Sequence, residues 1–82
     1  MIYVTENVDI EHASGAISRM QLVADAPVSA FDEIGAANAG FLFDAEAQRW
    51  KRTLDDAAIE REISKTIFPS SHGKALAWKR MP

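Results

Sequence analysis

Alternation over the first two dozen residues constrains this chain more than any other feature. The even positions read Ile2, Val4, Glu6, Val8 and Ile10, and after His12-Ala13-Ser14-Gly15 they resume as Ala16, Ser18, Met20, Leu22 and Ala24. A period of two on both sides of a turn-forming run predicts a long β-hairpin with one apolar face. A hairpin is not stable alone in water, so the rest of the chain must cover that face. At 82 residues, 48% of them apolar and 26% charged, the chain is expected to fold as a single domain over 1–82. With no cysteine, its stability must come from packing, helped by a partner subunit if it forms a homodimer.

Pro27 closes the hairpin segment, and Ser29 stands where a helix N-cap would, three residues before Asp32. The short helix that follows carries Phe31 and Ile34 as apolar contacts and Ala36, Ala37 and Ala39 as small packing positions, with Gly40 as its left-handed stop. Phe41-Leu42-Phe43 and the run from Arg49 to Leu54 read as two strands that place Phe41, Phe43, Trp50 and Leu54 on a shared buried face. From Asp55 to Phe68, Ile59, Ile63 and Ile67 fall at i, i+4 and i+8 behind an Asp55-Asp56 cap, which predicts the second helix. Pro69 to Gly73 is turn chemistry, and Lys74 to Met81 alternates as a closing strand. The expected order is ββαββαβ: an α+β fold with one antiparallel five-stranded sheet and two helices. The second helix is expected to pack Ile59, Ile63 and Ile67 beside Phe41, Phe43 and Trp50.

No constellation points to catalysis. His12 and His72 fall in predicted turns without a second ligand at metal spacing, and both read as surface residues. Ser14, Ser70 and Ser71 lie beside turn glycines without a strand-to-helix elbow, and the dispersed glycines build no phosphate loop. Asp9 and Glu11 share one face of a strand, a pattern that usually serves solubility. No enzymatic activity, cofactor or metal is expected. The N-terminus lacks a cationic segment before an apolar core, and no apolar run approaches the roughly 18 residues of a membrane span. A cytoplasmic protein, without a membrane partner, is expected.

Charge is unevenly distributed. Residues 1–47 hold eight acids against one base, Arg19, whereas residues 48–82 hold eight bases against four acids, for a net charge of −3 overall. Such asymmetry marks either a charged partner or two halves that intermix into an ordinary solvated surface.

The run from Ile34 to Trp50 resembles a small β-α-β-hairpin module of phage and plasmid proteins that is often attached to primases and helicases. The matching parts are Ala36-Ala37, Gly40-Phe41, Phe43-Asp44 and Arg49-Trp50, with Met20 to Asp25 as the preceding strand. Where that module usually has tryptophan before the aspartate, this chain has Phe43. The resemblance implies an origin in a mobile element.

Two functional expectations follow. In the first, the chain is a small non-enzymatic inhibitor, similar in type to phage-encoded anti-CRISPR proteins, that covers the basic nucleic-acid site of a host protein or ribonucleoprotein complex. Asp9, Glu11, Asp32, Glu33, Asp44 and Glu46 would form its acidic binding surface. In the second, Arg49, Lys51, Arg52, Lys79 and Arg80, interleaved with Trp50 and Trp78, bind nucleic acid as an accessory module of a replication system.

Overall fold

A computed structural model of the chain describes residues 5–82. Ile2 and Val4 of the predicted hairpin therefore lie outside the described residues. The elements in chain order are β1 (Thr5–His12), β2 (Ile17–Val23), β3 (Asp25–Pro27), α1 (Glu33–Asn38), β4 (Leu42–Asp44), β5 (Arg49–Lys51), α2 (Asp56–Lys65) and β6 (Ala75–Met81). The class is α+β, as the sequence predicts. The single five-stranded sheet is not found: the strands form two antiparallel three-stranded sheets, β2-β1-β6 and β3-β5-β4.

The first sheet follows from the alternation. β1 and β2 pair from Thr5 opposite Val23 to Glu11 opposite Ile17, and Gly15 takes the left-handed conformation (φ 89°) that the turn demands. The Ser14 hydroxyl accepts the Ala16 amide at 3.2 Å and completes the turn. Val8, Ile10 and Leu22 are buried on the inner face. β6 joins the other edge of β1, with Ile10 opposite Trp78, and a register shift at Glu11/His12 leaves Leu76 without a direct partner.

α2 covers this face. Asp55 caps it by accepting the Ala58 amide at 2.8 Å, and Lys65 stands in the last turn, where the helix dipole favours a cation. Ile59 is fully buried against Val8, Ile10 and Leu22, with Ile63 half-buried beside it. The predicted third contact fails. The Thr66 hydroxyl donates to the Glu62 carbonyl at 2.8 Å and Thr66 leaves helical geometry, so α2 ends before Ile67, which is 96% exposed. Phe68 packs against this core in its place.

The sheet divides at Ala24, between β2 and β3. Ala24 offers its carbonyl to the Arg52 amide at 2.9 Å, and β3 then pairs with β5, with Ala26 opposite Trp50. Pro27 has no N–H to donate and ends this edge strand. Phe41 and Trp50 therefore build a second cluster with Ala26 and Ala36, separate from the isoleucines of α2.

Arg52 ties the two sheets together. Its guanidinium donates to the Val23 carbonyl at the end of β2 (2.8 Å), to the Ala39 carbonyl after α1 (3.0 Å) and to the Glu62 carboxylate of α2 (3.2 Å). Lys65 adds a second link by donating to the Asn38 carbonyl at 3.2 Å, which satisfies an open carbonyl of α1.

Candidate interaction surface

The second sheet begins from a cap other than the predicted one. Ser29 lies in a short 3-10 turn, Val28–Ala30, and Asp32 caps α1 by accepting the Gly35 amide at 2.6 Å. α1 has only six residues, and Gly40 (φ 83°) reverses the chain so that the Phe41 amide donates back to the Ala36 carbonyl at 2.8 Å. Ala36 is fully buried, which lets the helix approach closely and seats Phe41 beneath it. Phe43 and Trp50 then face each other across the β4–β5 hairpin, with ring centroids 5.4 Å apart. The Trp50 indole N–H donates to the Val28 carbonyl at 3.2 Å, which fixes the 3-10 turn against the sheet.

Around this small core, large apolar side chains stand in water. Leu42 is 78% exposed and Ile34 74%, and Val28, Phe31 and Phe43 are exposed as well. The sequence predicts Ile34 as a packing contact; a six-residue helix covers the sheet with Ala36 and leaves Ile34 on its outer side. Phe31 and Phe41 stack at 5.0 Å, and with Phe43, Trp50, Val28 and Leu42 they line an open groove of about 650 Å³. Asp32 and Glu33 also border it, and no base does among the described residues that line it.

The six predicted acids fall at three places. Asp32 and Glu33 begin α1 at the groove, and Asp44 and Glu46 occupy the adjoining β4–β5 turn. Asp9 and Glu11 lie on the outer face of the first sheet, where with Ile17, Ala77, Trp78 and Lys79 they line a separate depression of about 260 Å³. Three of the six are already engaged, Asp32 by the Gly35 amide that it caps. Arg19 clasps Asp9 through two hydrogen bonds of 2.7 and 3.1 Å, which hold its carboxyl below the usual aspartate range, with Lys79 adding to the effect. Asp44 accepts the Ala47 and Glu46 amides at 3.1 Å each and faces Lys51 at 3.6 Å; the Ala47 amide is the foremost cause of its lowered pKa.

The predicted basic surface is largely used within the fold. Arg49 pairs with Asp25, Lys51 with Asp44, Arg52 with Glu62 and Arg80 with Asp56. Arg80 also donates to the Leu54 carbonyl at 3.1 Å and stacks on Trp78 at 5.4 Å. Trp50 is buried and Trp78 half-buried against the first core.

His12 corrects the sequence reading most directly. It is 1% exposed, because the alternation of β1 runs one position further than the turn signal suggests and turns the imidazole inward. Its Nε2 shares a 2.8 Å hydrogen bond with Ser18 Oγ, and its ring lies 4.7 Å from Phe68 and 5.1 Å from His72. No carboxylate joins the two histidines, and no group of three or more metal-ligating side chains is gathered among the described residues. None of the described helices is long and apolar enough to cross a membrane. No protein family, curated protein or solved structure matches the chain.

Proposed function

We propose that this chain is a small non-enzymatic binding protein that covers the basic nucleic-acid site of a host complex in the cytoplasm, acting as anti-CRISPR inhibitors do. The observation that carries this reading is the sorting of charge. Four of the five bases required for a nucleic-acid surface are held in ion pairs, whereas Glu11, Glu33 and Glu46 have no ion pair among the described residues. The outward field of such a chain favours a basic partner over a polyanion. The mobile-element resemblance of residues 34–50 supports the same setting.

The test is displacement. A nucleic-acid-processing complex retained by the chain from a bacterial host lysate is expected to lose its DNA or RNA as the chain is added, with the effect weakened by salt and by Asp32→Lys with Glu33→Lys. If the purified chain itself shifts DNA at micromolar concentration and physiological salt, and Lys79→Glu abolishes the shift, the replication-accessory reading replaces this one.

A further inference from the structure

We infer that the groove walled by Phe31, Phe41, Phe43 and Trp50 is the seat of a cationic amphipathic segment of a protein partner, its apolar side chains entering between the rings and its lysines or arginines meeting Asp32 and Glu33. The inference rests on the binding reading above and specifies where and how the partner is held.

Apolar side chains this exposed, gathered on one face of a small chain, mark an interaction surface more often than a solvated one. Two ring pairs, Phe31 with Phe41 and Phe43 with Trp50, form preformed walls, and the 3-10 turn is fixed by the Trp50 hydrogen bond to Val28. Rigid aromatic walls are the usual anchors of protein interfaces because little side-chain freedom is lost on binding. The sign of the occupant follows from the rim. Asp32 and Glu33 border the groove, Arg49 is directed to Asp25, Lys51 to Asp44, and Arg52 lies over the Phe41 ring at 4.4 Å while bonding to Val23, Ala39 and Glu62. An acidic or nucleic-acid occupant meets two carboxylates and, among the described residues lining the groove, no base, whereas a cation beside the exposed Phe31 and Phe43 rings gains from both the rings and the acids. In a two-fold contact a second copy would set the groove's own Asp32 and Glu33 against the same two carboxylates, so like charges oppose it.

The experiment uses the full chain carrying Trp78→Phe, so that Trp50 is its only indole. It is titrated at low salt with three synthetic peptides of about 14 residues, roughly four helical turns: a leucine–lysine amphipathic peptide, the same leucine pattern with glutamate, and the same lysine pattern with serine. Saturable change of Trp50 emission is expected with the leucine–lysine peptide alone. Asp32→Asn with Glu33→Gln, which keeps a capping side chain, should weaken it at least tenfold, and Leu42→Ser, at an exposed position, should do the same without altering the circular dichroism. Binding of the glutamate peptide with equal affinity, no saturable response to the leucine–lysine peptide, or an equal response to a single-stranded oligonucleotide overturns the inference. Concentration-dependent sedimentation that Leu42→Ser abolishes also overturns it, assigning the groove to a second copy. The two readings fail separately. A host complex that is still captured and displaced by Leu42→Ser leaves the proposed function standing without the groove. Peptide binding with no such complex leaves the groove without that function.

Discussion

The first sheet has strands of seven and eight residues and a ten-residue helix, and Val8, Ile10 and Ile59 within it are completely shielded from water. The second sheet has three strands of three residues and a six-residue helix, with two alanines among the four residues of its buried cluster. Phe41 and Trp50 are buried there, but Ile34, Leu42 and Phe43 are exposed. Three-residue strands and a helix shorter than two turns supply too little burial to hold themselves together. The second sheet is therefore stable only as an attachment to the first. The comparison teaches that this chain places its large, fully buried aliphatic side chains in one region and its exposed aromatic rings, Phe31 and Phe43, in the other, while exposed aliphatic residues occur in both, Ile17, Ile67 and Leu76 in the first and Ile34 and Leu42 in the second.

The largest effects should fall in the first sheet. Ile59→Ala should lower stability by about 2–5 kcal/mol, a large share of what a small domain possesses, with smaller losses for Ile63→Ala and none measurable for Ile67→Ala. Denaturant unfolding of the three variants checks the gradient; equal losses would mean that α2 is not seated as described. Next comes the link between the regions. Arg52→Met removes a charged group that serves two carbonyls and a carboxylate, and should cost about 1.5–3 kcal/mol. Its distinctive sign is regional: amide exchange should accelerate more over residues 25–51 than over residues 5–23. Uniform acceleration would show that the two sheets open as one unit and that the contrast between them is not energetic. Smaller still, Ile34→Ser and Leu42→Ser should change stability by no more than about 0.5 kcal/mol, as for surface positions. A loss comparable to that of Ile59→Ala would place these side chains in a core and remove the docking surface.

Much of the first region was legible because its code is local. Alternation names Val8, Ile10 and Leu22, and a cap with a four-residue repeat names Asp55, Ile59 and Ile63. His12 was within reach of the same pattern, as the next even position after Ile10. The division at Ala24 was not legible, since it depends on the Arg52 amide donating to the Ala24 carbonyl from 28 residues away along the chain. The groove was hidden for a related reason. Phe31, Ile34 and Phe43 look like core residues by type, and only the small area offered by α1 and β4 decides that they stay outside. The acids were legible as a composition. Their separation into one pair on the first sheet and two pairs on the second is a consequence of the split sheet.

The smallest expected effect separates the two regions by the source of their electrostatics. Asp9 in the first sheet and Asp44 in the second both have pKa values lowered from the ordinary 3.8. A carboxyl whose pKa is lower folded than unfolded contributes stability that is fully present above the unfolded value and is lost as pH falls through the folded one. Both contributions should therefore disappear on acidification below about pH 4. Their causes differ. Asp9 owes its shift first to the hydrogen bond from Arg19, a side chain 63% exposed to solvent, whereas Asp44 owes its shift first to the Ala47 amide. Salt screens an exposed ion pair and leaves a backbone hydrogen bond nearly untouched. A carboxyl-carbon NMR titration at low and high ionic strength should show the Asp9 value rising toward the ordinary one with salt while the Asp44 value holds. Asp44→Asn should keep the β4–β5 turn, because its amide oxygen still accepts from Glu46 and Ala47, and should remove that site's share of the acid sensitivity. If salt moves both carboxyls equally, the Asp44 shift comes from Lys51 instead, and the β4–β5 turn is held no differently from the surface pair on the first sheet.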